Sequence, residues 1–256
     1  EILNDPEDKN KYLESEPIEA VAVIERDGKK TILCENLTGA VNLSEDGDTI
    51  TVLASAEAPA TIDKRTNWKK QDKEDVTYET PIDGLTIKAA DAVTLSDDAA
   101  TVPTVEITGL EKIAGKNVTL ENLFIIPSKT LEIAGDGTTL KNCYVQAKNV
   151  TCDDVADGKL FGYDPASGKY YSYLTRANGK NITLDGCTFD GNDKLGEGLP
   201  NMCLQPLGCT NLTVKNSTYK NAWAAMYYSW AAGNVVIEDS KFENIYAYNV
   251  NLSEGG

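Results

Sequence analysis

The stretch Gly115 to Ile125, Gly-Lys-Asn-Val-Thr-Leu-Glu-Asn-Leu-Phe-Ile, constrains this chain most, because its frame returns four more times. With Asn117 counted as zero, the frame restarts at Gly137, Asn181, Asn211 and Asn234. Three steps on stand Leu120, Leu140, Leu184, Val214 and Ile237; one step on stand Val118, Thr138, Ile182, Leu212 and Val235. Thr, Glu, Lys or Asp fills most of the positions between, and that period of two marks a strand with one buried face. At plus five come Asn122, Asn142, Gly186, Asn216 and Asp239, residues that turn a chain sharply. At plus eight Ile125, Val145, Phe189, Tyr219 and Phe242 return to the core. Each copy reads as strand, turn, strand. A single unit cannot bury its own apolar face, so the copies must stack.

Stacking in one direction gives parallel strands about 4.8 Å apart with like residue over like. Asn122, Asn142, Asn216 and Asp239 would then form a ladder of turn residues, each amide offering a donor and an acceptor to its neighbours. This frame resembles the core rung of the pectin-lyase-like superfamily, Asn-Val-x-Ile-x-Asn-Leu-x-Ile, over roughly Asp48 to Val250. The resemblance implies an all-β fold, a single-stranded right-handed parallel β-helix with an N-terminal cap. It says little of activity, since a fold of this kind carries many.

The chain order follows. Residues 1–17, polar and bounded by Pro6 and Pro17, read as a tether or irregular lead-in, and 18–256 as the solenoid. About 18–60 reads as the cap: a strand from Ala20 to Ile24, a turn at Asp27-Gly28, then Asp46-Gly47-Asp48-Thr49-Ile50 opening the next strand. That opening resembles the start of many bacterial surface β-helices, where it covers the first rung. A solvated loop is expected over Asp63 to Glu79, with a basic patch of Lys64, Arg65, Lys69 and Lys70 around Trp68 as the functional alternative. The frame is interrupted between Gly137 and Asn181. The turn-rich composition there predicts one rung plus an inserted loop at about 151–170.

Counting back seven from Asn181, Asn211 and Asn234 reaches Leu174, Leu204 and Tyr227. If these point inward, Tyr171, Tyr173, Cys203, Gln205, Met226 and Tyr228 point outward, with Trp230 beyond. The resemblance implies that polysaccharide binds on this face, and Tyr171, Tyr173, Gln205, Tyr228 and Trp230 are the binding candidates. Aromatic rings suit sugars, presenting a flat apolar face with a polar handle; bare Tyr stacking on an exposed sheet is the other reading. A lyase would need a base and a positive group beside a uronate carboxylate, and Arg176 and Lys194 with Asp190 and Asp193 are the nearest set. The hydrolase and esterase patterns of the superfamily are absent, and the chain has no His.

No cofactor is expected. Calcium is conceivable at Asp153–Gly158 or Asp190–Asp193, but Val155 stands where a calcium loop requires a ligand. Cys143 and Cys187 share one frame position, so adjacent copies would bring them within disulfide range or stack them as free thiols. The net charge of −16, with Arg26, Arg65 and Arg176 the only arginines, argues against nucleic acid as a partner. No apolar stretch is long enough for a transmembrane helix. Three readings result. The first is an extracellular or cell-surface module, exported and non-catalytic, that binds a polysaccharide or another surface component. The second is a pectate-lyase-like polysaccharide lyase, and the third a structural adhesin stalk.

Overall fold

The computed structural model describes residues 19–26, 30–71, 74–90, 102–146, 163–164, 169–170, 172–192, 201–227 and 232–251. Strands dominate these residues, and most pair in parallel within two curled sheets, an arrangement compatible with an all-β solenoid. The expected lead-in at 1–17 and most of the inserted loop at 151–170 lie outside the described residues; of the latter, Tyr163–Asp164 pairs antiparallel with Lys169–Tyr170.

Each copy of the frame adds one strand to the first sheet. Thr86–Ala89, Thr119–Glu121, Thr139–Lys141, Lys180–Asp185, Thr210–Lys215 and Gly233–Glu238 lie side by side in chain order, with Thr49–Val52 before them. The register is the one the frame demands: Ile50, Ile87, Leu120, Leu140, Leu184, Val214 and Ile237 fall in one column. All but the last are essentially unexposed. The opposite face carries a Thr column, Thr49, Thr86, Thr119, Thr139, Thr183 and Thr213. Beside it runs a column of alternating charge, Lys88, Glu121, Lys141, Asp185, Lys215 and Glu238. Lys141 meets Glu121 at 2.8 Å and Lys215 meets Asp185 at 3.2 Å.

The second sheet doubles back on itself. Its outgoing arm holds Glu106–Thr108, Phe124–Ile126, Tyr144–Gln146 and Thr188–Asp190, stacking Ile107, Ile125, Val145 and Phe189 in the interior. Thr218–Tyr227 joins the arms, its first half beside Thr188–Asp190 and its second half beside Asn201–Pro206. The returning arm runs through Asn201–Pro206, Ser172–Ala177 and Leu131–Ile133 to Lys112–Ile113. Inside, the rings of Phe189 and Tyr219 stack at 5.0 Å, and those of Tyr219 and Phe242 at 5.7 Å.

The copies at Gly137 and Asn181 are direct neighbours, as Leu140 pairs with Leu184 and Val145 with Phe189; the 44-residue interval therefore holds one rung and an insertion. Cys143 and Cys187 consequently occupy adjacent rungs, both as buried free thiols, with their Sγ donating to Leu120 O and Leu140 O.

Asn122, Asn142, Asn216 and Asp239 all hold positive φ, between 45° and 57°. The turn column is linked chiefly by main-chain bonds, Asn122 N–H to Lys141 O, Asn142 N–H to Asp185 O and Asn216 N–H to Glu238 O. Gly186 stands in it because a Cβ there would lie 2.4 Å from Asn142 Oδ1, at a φ of +64° that side chains disfavour. Continuous amide ladders form in two other columns. In one, Asn234 donates to Asn211 and Asn211 to Asn181; in the other, Asn244 donates to Asn221 and Asn221 to Asp190.

The N-terminal end is closed. Ala22–Arg26 pairs antiparallel with Lys30–Cys34 on one side and Thr49–Val52 on the other, so the first parallel strand has no open edge. A short helix, Leu37–Leu43, buries Leu37, Ala40 and Val41 and is capped by Asn36, whose side chain accepts from Gly39 N–H at 2.7 Å. Two arginines clamp the turn that follows. Arg26 holds Asp48 through Nε and Nη2, and Arg65 donates to Ser44 Oγ, Asp46 Oδ1 and Pro81 O. The solvated loop expected at Asp63 to Glu79 is instead an antiparallel hairpin, Lys64–Gln71 against Glu74–Pro81. Val76, Tyr78 and Thr80, residues that favour strands, stand at every second position of its second strand, opposite Lys69, Asn67 and Arg65. Arg65, read from sequence as part of a basic surface patch, is only 4 % exposed and belongs to the cap.

Candidate functional site

The outer side of the returning arm was the expected binding face, and its chemistry is built in rows across the strands. Lys112, Glu132, Arg176 and Gln205 are aligned on successive strands. Lys112 Nζ lies 3.1 Å from one Glu132 oxygen, Arg176 Nη1 3.5 Å from the other, and Arg176 Nε donates to Gln205 Oε1 at 2.8 Å. The guanidinium also stands 5.8 Å from the Tyr173 ring centre. Arg176 is therefore held between a carboxylate, an amide and a ring. A lyase base would need to be released to approach a substrate carbon, and this one is tied into the sheet.

Two binding candidates turn out to be inaccessible. Tyr173 is 7 % exposed because its strand places it against Met202, and Gln205 is 5 % exposed with its oxygen taken by Arg176. The inward and outward assignments also shift. Met226 pairs with Leu204 and is fully buried, so Tyr227, not Met226, stands on the outer side. Cys203 is fully buried and donates to Phe189 O. The count from the frame holds at Asn211, since Leu204 is fully buried. It slips by one at Asn181, where Thr175 rather than Leu174 pairs with Leu204, and at Asn234, where Met226 rather than Tyr227 does, because the turns between these strands and the frame differ in length. Tyr171, Tyr228 and Trp230, with Lys194 and Asp193, lie outside the described residues.

An aromatic group that the sequence reading missed occupies the C-terminal part of this face. Trp223, Tyr227 and Tyr248 meet one another with ring centres 5.3, 5.4 and 5.5 Å apart. Trp223 and Tyr227 sit on one strand with fully buried Ala225 between them, and Tyr248 comes from Lys241–Asn251 alongside. Tyr248 is 42 % exposed and the neighbouring Tyr246 69 %. Tyr227 follows Met226, which lies beside Leu204; that places it next to the Gln205 and Arg176 row. The signal was present as the alternation Trp-x-Ala-x-Tyr, but nothing in one sequence says that a ring 21 residues later joins it.

Asp190, the other catalytic candidate described, lies on the outgoing arm, away from Arg176. It is 4 % exposed and saturated with donors: Tyr144 Oη at 2.6 Å and Gln146 Nε2 at 3.0 Å on one oxygen, Asn192 N–H and Asn221 Nδ2 at 2.9 Å on the other. Lys220 Nζ lies 4.0 Å away. Burial, then the Asp190 carboxylate, push the Tyr144 hydroxyl well above its ordinary range, so this phenol stays a proton donor. The arrangement ties three strands together and leaves no lone pair directed at solvent. It also gives no support to calcium at Asp190–Asp193, since Asp190's oxygens already accept hydrogen bonds; Asp153–Gly158 lies outside the described residues. Among the described residues no cluster of His, Cys, Asp and Glu could hold a metal ion, and no helix is long and apolar enough to cross a membrane.

Comparison with family models, with curated proteins and with solved structures finds no match to this chain.

Proposed function

We propose that this chain is a right-handed parallel β-helix of the pectin-lyase-like kind, acting outside the cell or at its surface as a non-catalytic module that binds a polysaccharide. The observation that carries the reading is the Trp223, Tyr227 and Tyr248 group beside the Arg176–Gln205 row. Rings of this kind offer apolar faces to pyranose C–H groups, while the phenol hydroxyls and the Arg176 edge offer donors to hydroxyl or carboxylate oxygens. Turnover is disfavoured because Arg176 and Asp190, the described members of the lyase set, sit on different arms and are each engaged.

The test is retention of the chain on a panel of immobilised neutral and acidic polysaccharides, read beside ultraviolet absorbance for unsaturated product. Retention on at least one glycan is expected, falling roughly tenfold in affinity, about 1.4 kcal/mol, in Tyr248→Ala. Trp223→Ala should act in the same direction, and Tyr248→Ala guards against a folding defect because its ring is half in solvent. Product formation lost in Arg176→Ala would overturn the proposal in favour of a lyase. Absence of retention on every glycan would overturn it in favour of a stalk.

A further inference from the structure

The outer face of the first sheet takes no part in the site described above, and its charges follow a rule of their own. From Thr86–Ala89 to Gly233–Glu238, successive strands carry Lys88, Glu121, Lys141, Asp185, Lys215 and Glu238 in register. The sign alternates at every step. Three lysines balance three carboxylates, so a neutral stripe runs along a chain of net charge −16. Two ion pairs lie within the column, Glu121 with Lys141 and Asp185 with Lys215. Lys88 and Glu238, at its two ends, have no ion-pair partner among the described residues. The side chains reach solvent: Lys141 is 47 % exposed and Lys215 40 %. Thr86, Thr119, Thr139, Thr183 and Thr213, in the column beside them, are half-exposed.

An alternating column that begins with a cation and ends with a carboxylate is complementary to its own reverse. A two-fold axis along the strands, midway between Lys141 and Asp185, sets each Lys88 against Glu238 of a second copy. It also sets Glu121 against Lys215 and Lys141 against Asp185, opposite signs at every contact. The same rotation lays the Thr column on its own reverse, where each hydroxyl can donate and accept. A two-fold axis along the stack would instead lay the charges on the threonines. The face therefore specifies its partner and one orientation, and it gives Lys88 and Glu238 the opposite charge that neither has within one chain. Across the rest of so acidic a surface two copies repel, and the neutral stripe is where they approach at least cost.

We infer that the outer face of the first sheet is a self-association surface that docks a second copy of this chain about that axis. This inference stands independently of glycan binding, because the aromatic group lies on the second sheet. Six strands about 4.8 Å apart, over roughly 12 Å of strand, bury on the order of 700 Å² in all, which is small for a specific interface and makes a weak dimer.

The test is sedimentation equilibrium of the whole chain from about 10 µM to about 1 mM, where a weak dimer is expected to form. Lys88→Glu and Glu238→Lys should each weaken self-association about tenfold, because each substitution places like charges at both symmetry-related contacts. The double variant, Lys88→Glu with Glu238→Lys, should restore the homodimer, and an equimolar mixture of the two single variants should pair with each other. Lys88 and Glu238 stand five strand spacings apart, about 24 Å, so rescue by exchange of their charges cannot arise within one chain. Neither residue is buried, so the variants should fold, which circular dichroism checks. A native chain that stays monomeric over this range overturns the inference. So does a dimer that both single variants leave intact, or one that the double variant fails to restore.

Discussion

Replacing Asp190 with Ala separates a structural carboxylate from a catalytic one. The substitution strips four hydrogen bonds from a side chain that is 4 % exposed, and it leaves the Tyr144 hydroxyl, on a residue 5 % exposed, facing a gap. An unpaired buried donor costs about 1–3 kcal/mol, and bonds to a charged acceptor contribute about 1.5–3 kcal/mol each when buried. Gln146 and Asn221 are only partly buried and can turn to water, so most of the loss comes from Tyr144 and the Asn192 amide. Removing a buried charge also returns its desolvation cost, leaving a net destabilisation of about 3 kcal/mol. Asp190→Asn keeps the acceptor for Asn192 and Asn221 and should lose about 1 kcal/mol. The assay is urea unfolding at neutral pH followed by far-ultraviolet circular dichroism, completed as a double-mutant cycle with Tyr144→Phe. That substitution should cost about 1.5 kcal/mol in the native background and almost nothing beside Asp190→Ala. A loss below about 1 kcal/mol for Asp190→Ala, or an additive cycle, would refute the network as the reason for this residue.

Three further outcomes are expected. Gly135→Ala puts a Cβ 1.9 Å from the Gly115 carbonyl oxygen, a main-chain atom that cannot step aside, and should destabilise by about 3 kcal/mol or prevent folding, as thermal melting would show. Burial acts to raise Asp48, but the Arg26 guanidinium and the Glu45 amide outweigh it and hold the carboxyl below its ordinary value. The stability this lends is present above the unfolded-state value of about 3.9 and is lost as pH falls through the lower folded value; Asp48→Asn should flatten the acid limb of a stability-against-pH curve. Burial pushes Cys187 and Cys203 up, and Cys34, Cys143 and Cys209 are buried with them. Mass-spectrometric mapping of alkylation should find these five unmodified in the native chain and labelled in urea; rapid native labelling of Cys187 would contradict its place between Leu140 O and Asp185 O.

Much of the architecture was legible. The frame predicted the column from Leu120 to Ile237, the neighbouring of the Gly137 and Asn181 copies across their insertion, and the contact of Cys143 with Cys187. The candidate site was legible only as a side of the stack. Tyr173 and Gln205 were proposed as exposed and are buried; Tyr227 was proposed as inward and contributes a ring to the outer aromatic group. A period of two transmits parity along one strand, and a turn of irregular length resets it.

The sequence alone determined which residues repeat, and hence which lie over which, because a stacked strand can pair in register with its neighbour only if aliphatic falls on aliphatic and the turn residues coincide. Tertiary structure decided what that stacking brings together between columns. It bound Arg176 to Glu132 and Gln205, gave Asp190 its donors from Tyr144, Gln146 and Asn221, and gathered Trp223 with Tyr248. Those contacts depend on how sharply the second sheet bends and where its strands end. Main-chain geometry sets both, and no side-chain pattern in the repeat records either.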